Sequence, residues 1–321
     1  MQQILLFSSS GGIIKKKQKA VPMLYTLTLN PSLDLLMRPA LLAPGETNRS
    51  RAETVTYGGK GINVAVMLKN LGIPVTALGL AGGFTGEKLL SMTKNAGICT
   101  DFVSIAADTR INVKLLADTV TEVNACGPTV TSEEWQRLLA RLDALAVGDT
   151  LVLSGSLPRS LPQSAYADIM DRLAPKGVRF AVDTSGEALR LSLSARPDLI
   201  KPNLVELEAL ACRPLTTDEE SEKAMREAQA MGARRVLLSL GGEGAMLLDE
   251  DGALYKQKAP LGTIVSTVGA GDSMLAAFLA CKERGAKGSD ALRYAVAAGS
   301  ATAFTEGIAE REAVSLLLSQ M

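Results

Sequence analysis

Two rhythms of apolar and polar residues run along this chain. From Leu24 to Leu29 the pattern alternates as in a strand, and Asn30-Pro31 ends it. Ser50–Tyr57 reads as a second strand. Gly58-Gly59-Lys60-Gly61 then turns into a helix from Ile62 to Leu71, which Gly72 closes. Val75–Leu80 predicts a strand, and Glu87–Asn95 a helix that stops before Gly97.

Residues 101–125 differ in kind. Segments around Phe102–Ile105, Ile111–Leu116 and Val120–Val123 have strand character, with no helix between them. In the middle segment Arg110, Asn112 and Lys114 share one face, and Ile111, Val113 and Leu115 share the other. One face is polar enough to meet an anion; the other requires a covering surface.

From Ser132 onward helices and strands alternate. Helices are expected over 132–145, 163–173, 203–211 and 218–231, and strands at Thr150–Ser154, Arg179–Val182, Leu199–Lys201 and Arg235–Leu240. A meander over 245–258 precedes three helices that begin near Gly271, Ser289 and Glu310. Strands alternating with helices imply an α/β fold with a mostly parallel sheet covered on both faces. The all-strand segment becomes a small lid. Residues 1–22 place a short apolar stretch ahead of a lysine run, the reverse of a secretory signal. They are read as an extension outside the core, which spans 23–321.

Composition narrows the chemistry. The chain has no histidine, which excludes Ser-His-Asp triads, Cys-His pairs and histidine-based zinc sites. Proton transfer falls to a carboxylate, lysine, tyrosine or thiol, and a metal held by oxygen points to Mg²⁺. The 34 basic and 34 acidic residues balance, which gives no reason to expect a nucleic-acid partner. Cys99, Cys126, Cys212 and Cys281 are far apart with no CxxC. They read as reduced thiols of a cytoplasmic protein, buried as small hydrophobes. No apolar run reaches the roughly 18 residues of a membrane span.

Two common nucleotide motifs are missing. Gly59-Lys60 is followed by Gly61 rather than Ser or Thr, so there is no Walker A loop. Gly269-x-Gly271 and Gly242-x-Gly244 lack the third glycine of a dinucleotide fingerprint. More telling is Ser266–Ser273, where a glycine turn opens directly into a helix. Its N–H groups and dipole form an anion site. Asp272 in that mouth would repel a bound phosphate but makes sense as a base beside an attacking hydroxyl. The plainer role is an ordinary acidic residue at a helix start. At Gly58–Asn63, glycines permit close backbone approach, Lys60 brings a mobile charge and Asn63 can read hydroxyls; alone, such a turn is most often structural. Asn203 and Glu206 lie three apart on one helical face, suited either to Mg²⁺ and its waters or to a simple helix cap. Ser239–Gly244 follows a strand, where α/β sheets bind ligands; its plainer role is a tight turn.

Taken in order, GGKGIN at 58–63, KPNLVELE at 201–208, SLGGEGA at 239–245 and TVGAGDSM at 267–274 resemble the ribokinase/PfkB family of sugar kinases. The resemblance covers nearly everything from Met23 to the end. It implies a doubly wound sheet with a β-lid, here placed at about 33–57 and 101–125. It implies ATP as co-substrate, Mg²⁺, and a homodimer joined through the lids. TLNPSLD, Asn48-Arg49-Ser50, Thr109–Lys114 and SGSLP at 154–158 resemble members that convert fructose 1-phosphate to fructose 1,6-bisphosphate. Kinases of tagatose 6-phosphate or fructose 6-phosphate are the alternatives within the family, and a non-catalytic sugar-phosphate-binding protein the alternative outside it. Carried over residue by residue, the resemblance makes Asp272 the base and Gly269, Ala270 and Gly271 the anion hole. Asp34, Gly59, Lys60 and Asn63 would hold the sugar, and Arg49 and Arg110 its phosphate. Lys201, Asn203, Ser239, Gly241, Gly242 and Gly244 would line the nucleotide site, with Asn203 and, through water, Glu206 serving the metal. One departure is the loop after the lid's Thr-Glu strand. Relatives tend to carry Asn-Gly-Pro-Gly, whereas this chain has Asn124-Ala125-Cys126-Gly127.

Overall fold

The computed structural model of the chain describes residues 22–321. The expectation for the N-terminal extension, Pro22 apart, lies outside the described residues. The first half runs β1 (Leu24–Thr28), β2 (Ser32–Pro39), β3 (Ser50–Gly58), α1 (Lys60–Asn70), β4 (Val75–Gly82), α2 (Gly83–Asn95), β5 (Cys99–Ile105), β6 (Arg110–Leu116), β7 (Val120–Val123) and α3 (Ser132–Leu142). It continues with β8 (Thr150–Ser154), α4 (Ala165–Leu173), β9 (Arg179–Asp183), α5 (Gly186–Ser194), β10 (Leu199–Ile200), α6 (Leu204–Ala211) and α7 (Asp218–Ala230). Strands β11 (Val236–Ser239), β12 (Ala245–Leu248) and β13 (Leu254–Gln257) precede α8 (Ala270–Glu283), α9 (Gly288–Ala303) and α10 (Arg311–Gln320).

Nine strands form the main sheet, in the order β13-β12-β11-β10-β9-β8-β1-β4-β5. It is parallel from β11 to β5, and at one edge β12 alone is reversed, pairing antiparallel with both β11 and β13. Side chains of its strands alternate between two separate cores, as the period of two requires. Leu24, Val152, Ala181 and Leu237 join α1, α8 and α9 on one face. Leu27, Leu151, Leu153, Phe180 and Leu238 join α3, α4 and α7 on the other. Both faces being covered explains why these strands read as apolar runs.

Helix α8 is buried without interruption from Asp272 to Ala280. Its small residues let it lie close against α9: a Cβ on Gly299 would stand 3.1 Å from the Ala270 carbonyl. Ser273 and Thr302 share a hydroxyl hydrogen bond of 2.7 Å across that contact. The start of α8 is therefore fixed by packing along its whole length.

The second sheet has four strands in the order β3-β2-β6-β7, with β2–β3 and β6–β7 antiparallel and β2–β6 parallel. This is the expected lid, with one correction. Cys99–Ile105 pairs with β4 and is the edge strand of the main sheet, so the second segment of the lid starts at Arg110 and not near 101. Register explains the difference: β5 follows α2 as a parallel crossover strand, and its inward Val103 and Ile105 belong to the main core. A second correction concerns the thiols. Cys99, Cys126 and Cys212 are exposed and Cys281 is half-buried; all four are free.

Candidate active site

The two sheets meet at the carboxyl ends of β1, β8 and β9. Strand β1 connects onward to β4 on one side while β8 and β9 extend the sheet on the other, so this is the switch point where open α/β sheets bind ligands. Converging there are the Gly58–Lys60 turn, the end of β9, the segment after β10 and the N-terminus of α8.

Asp272 stands in the first turn of α8 and is buried. The turn before it requires glycine. Gly269 caps the helix at φ +80°, and a Cβ there would lie 2.4 Å from Ile308 Cδ1. Asn63 Nδ2 donates to Asp272 Oδ2 at 2.8 Å, and no other hydrogen bond reaches this carboxylate among the described residues. Burial, and next the nearby Asp183 carboxylate, push its pKa up to about 6, against the opposing pull of Lys60, Asn63 and Lys201. A carboxylate in that range is suited to accept a proton near neutral pH.

Two lysines flank it. Lys60 Nζ donates to Asp183 Oδ1 at 2.9 Å, and Lys201 Nζ lies 3.3 Å from Asp183 Oδ2. Lys201 also lies against the anion turn, its Nζ 3.2 Å from where a Cβ on Gly271 would be. Burial opposes the charge on Lys60, yet Asp183, then Asp272 and Glu206, hold it above the usual lysine range. Burial would likewise raise Asp183, but Lys201 and Lys60 hold it below the usual carboxylate range. The sequence pattern does not single out Asp183. The available signal is its place as the last residue of a buried parallel strand, at the end where such sheets bind ligands.

The lid turns its polar face to this cluster. Asp34 Oδ1 accepts from Ser32 Oγ at 2.7 Å and from Asn112 Nδ2 at 3.0 Å, and Lys114 lies 3.3 Å from Oδ2. Arg110 is fixed by backbone carbonyls: Nε and Nη2 donate to Asn30 O at 3.2 and 3.0 Å, and Nη1 to Ala125 O at 2.9 Å. Two of its five N–H donors stay available for an anion. The departure loop thus has a role in the fold. Ala125 receives Arg110, Cys126 O accepts from Asn30 Nδ2 at 3.2 Å, and Gly127 packs on Asn30 where a Cβ would stand 2.1 Å from Oδ1. Gly58 is equally constrained, since a Cβ would meet Ser32 Oγ at 2.4 Å and Asp34 Oδ1 at 2.5 Å. Gly59 carries φ +132° at the start of α1.

Arg49 is not brought to the cluster. It is exposed beside Ser50, whose partner is Pro39, whereas Gly58 pairs with Ser32 at the opposite end of the hairpin. At about 3.3 Å per residue, the strand puts roughly 23 Å between those ends. Within one chain Arg49 does not reach a sugar near Asp272, which corrects its pairing with Arg110.

On the far side of Lys201 a cleft of about 430 Å³ is lined by Asn203, Ser239, Gly241, Thr217, Asp218 and Lys256, among others. Added Cβ atoms on Gly241 and Gly242 would meet nothing within 4 Å, so this turn leaves its backbone accessible. Gly244 has a structural reason, because a Cβ would lie 2.0 Å from Gln257 O. Asn203 and Glu206 form a reciprocal capping box: Asn203 Oδ1 accepts from Glu206 N at 2.8 Å, and Glu206 Oε2 accepts from Asn203 N at 2.9 Å. The helix-cap role is therefore realised. No group of three or more acidic, cysteine or histidine side chains able to hold a metal occurs among the described residues.

The sequence profile of the pfkB family carbohydrate kinases matches residues 27–313. The chain is 39% identical to 1-phosphofructokinase of Bacillus subtilis over 299 residues, covering 93% of this chain and 98% of that protein. It is 37% identical to D-tagatose-1-phosphate kinase of Bacillus licheniformis over 300 residues, covering 93% and 98%. Among solved structures it is similar to phosphofructokinase-2 from Escherichia coli in complex with fructose-6-phosphate. That likeness has a TM-score of 0.88 at 31% identity, over 94% of this chain and 99% of that one.

Proposed function

This chain belongs to the pfkB family of carbohydrate kinases, and on that premise we propose that it transfers the γ-phosphoryl group of ATP to the 6-hydroxyl of fructose 1-phosphate, giving fructose 1,6-bisphosphate. Sugar-phosphate kinase activity follows from the family and its relatives. The observation that carries the mechanism is the buried Asp272 at the glycine-led start of α8, with one oxygen held by Asn63. Its carboxylate takes the proton of the 6-hydroxyl as that oxygen attacks phosphorus. The N–H groups around Gly269, Ala270 and Gly271, of which that of Ala270 donates weakly to Thr267 O at 3.3 Å, stabilise with the helix dipole behind them the charge spread over the transferring group.

Asp34, Gly59, Lys60 and Asn63 hold the sugar below the lid, and Arg110 meets the phosphate it already carries. Lys201, Asn203, Ser239, Gly241 and Gly242 face the nucleotide, with Gly244 shaping the turn. Mg²⁺, held through nucleotide phosphates near Asn203 and Glu206, supplies charge neutralisation when bound. The lid excludes water, which limits hydrolysis of ATP without transfer. The apolar faces of two lids pack together in a homodimer.

A second reading has a specific ground. The similarity to D-tagatose-1-phosphate kinase supports tagatose 1-phosphate, which differs from the fructose compound only in configuration at one carbon and presents the same 6-hydroxyl. ADP release with Mg²⁺ and ATP tests both, measured against fructose 1-phosphate, tagatose 1-phosphate, their 6-phosphate isomers and free fructose. The 1-phosphates are expected to give the highest kcat/KM. Preference for a 6-phosphate would reject the proposed substrate, and absence of sugar-dependent ADP release would point to a binding protein on the same fold.

A further inference from the structure

We infer that Asp183 is a positioning residue that keeps Lys60 and Lys201 off the catalytic base. The inference rests on the reading of Asp272 as that base.

Four charged groups are packed at the junction of the sheets: Lys60, Lys201, Asp183 and Asp272. The charges balance, so each lysine could pair with either carboxylate. Both choose Asp183, at 2.9 and 3.3 Å, one on each oxygen. Asp183 is 1% exposed and ends β9. It stands beside Ser154 in strict register with β8, and so is set by the sheet rather than by a loop. Lys60 reaches it from the sugar-side turn at the start of α1, and Lys201 from the nucleotide side after β10.

This division leaves Asp272 with one hydrogen bond, from an uncharged amide, and an oxygen for the sugar hydroxyl. A base locked in a lysine ion pair would be a poor proton acceptor, because the pair stabilises the charged form that must be consumed. A lysine drawn to Asp272 would also leave its place beside the reacting groups. Lys201 in particular would lose its position against Gly271. Asp183 thus separates two functions that share one small space: cations to meet phosphate, and a carboxylate left basic enough to take a proton. Removing it leaves the buried Lys201 and the partly exposed Lys60 without their shared carboxylate, with Asp272 in the same cluster, and uncompensated buried charge drives such pairing.

The test is a double-mutant cycle between Asp183→Asn and Lys60→Met, with kcat and both KM values measured at saturating Mg²⁺ and the fold followed by circular dichroism. Asp183→Asn is expected to lower kcat by about 10²-fold, within the range for loss of a general base, while KM for ATP and sugar phosphate moves less than tenfold. In the Lys60→Met background the same change is expected to lower kcat by no more than about tenfold, because one of the two cations that would capture Asp272 is gone and only Lys201 remains. An equal loss in both backgrounds, or a loss confined to KM, overturns the inference. Should Asp183→Asn alone not fold, the double variant decides, since it removes one charge of each sign. Turnover within tenfold of Lys60→Met supports the inference, and a hundredfold deficit rejects it. Failure of the wild type to release ADP with any sugar phosphate would instead strike the kinase mechanism beneath it.

Discussion

Asn63, in the first turn of α1, donates its side-chain amide to Asp272 Oδ2 across 209 positions of sequence. The turn before α1 and the turn before α8 are therefore joined by one hydrogen bond. Asn63 Nδ2 carries this hydrogen bond, and its Oδ1 is left for the sugar hydroxyl it is proposed to read.

Replacing Asp272 by Asn preserves shape and removes the proton acceptor. Turnover is expected to fall by about 10²–10⁴-fold, with much smaller changes in the Kd of ATP and sugar phosphate. Calorimetric binding beside steady-state rates checks this. Retention of more than a tenth of wild-type turnover would remove Asp272 from the role.

The rate should also titrate. With a pKa near 6, Asp272 is deprotonated and active above that pH and protonated below it. The profile of kcat/KM is expected to fall on the acid side with a midpoint near pH 6. Asn63→Ala removes a hydrogen bond that favours the charged form, so its midpoint should move to higher pH. A shift to lower pH would contradict the assignment.

Stability gives an independent check on the same group. A carboxyl whose folded pKa lies above its unfolded value stabilises the fold while protonated, and that contribution is lost as pH rises through the folded pKa. The rise from 3.8 to about 6 corresponds to a cost on the order of 2–3 kcal/mol at neutral pH. Asp272→Asn is thus expected to melt a few degrees above wild type at pH 7.5 and to lose that advantage near pH 4. Thermal denaturation at the two pH values measures it, and equal melting at both would deny the burial cost.

Gly61 should tolerate nothing larger. A Cβ there would stand 2.4 Å from Thr28 Oγ1 and 3.1 Å from the Leu27 carbonyl, so Gly61→Ala must move α1 away from β1. We expect a loss of roughly 1–3 kcal/mol, the usual cost of overpacking, in urea denaturation. An unchanged midpoint would show that the turn adapts.

The outer face of the lid carries Leu35, Val55, Ile111, Val113 and Val123 in register, with Val55, Ile111 and Val123 between 41 and 59% exposed. In the proposed lid-to-lid dimer these side chains would be buried. Light scattering is expected to give a dimer for the wild type and a monomer for Val113→Asp, whose carboxylate would be buried without a partner. A wild-type monomer at micromolar concentration would reject the arrangement.

What could be read from the sequence follows physical reach. The α/β alternation and most helix starts were legible because they depend on local periodicity and caps, although α5 was not expected and α2 begins at Gly83 rather than Glu87; apart from β5, the main-sheet strands fell where the apolar runs placed them. The turn that buries Asp272 at a helix start was legible from Gly269, whose positive φ and close approach to Ile308 only glycine meets. Residues 99–105 could not be assigned to a sheet from pattern, since alternation does not say which neighbour a strand pairs with. Arg49 was drawn to the sugar by its neighbours in sequence, while strand length carried it to the far end of the hairpin. Asp183 escaped because its importance lies in two lysines 123 and 18 positions away, a relation that exists only once the sheet has formed.

Every crossing of the chain between the main sheet and the lid occurs at the carboxyl edge of the main sheet, beside Asn30, Gly59, Thr109 and Gly127. A lid moving as one body would be a lever whose fulcrum is these crossings, beside the proposed reacting centre. A small rotation at the fulcrum becomes a wide sweep at the Pro39–Ser50 tip, while displacement at the tip disturbs the chemistry little. The tip is therefore the part of the molecule where length and sequence can drift most freely, so changes in assembly or in access to the cleft can arise there without retuning the carboxylates and lysines beneath.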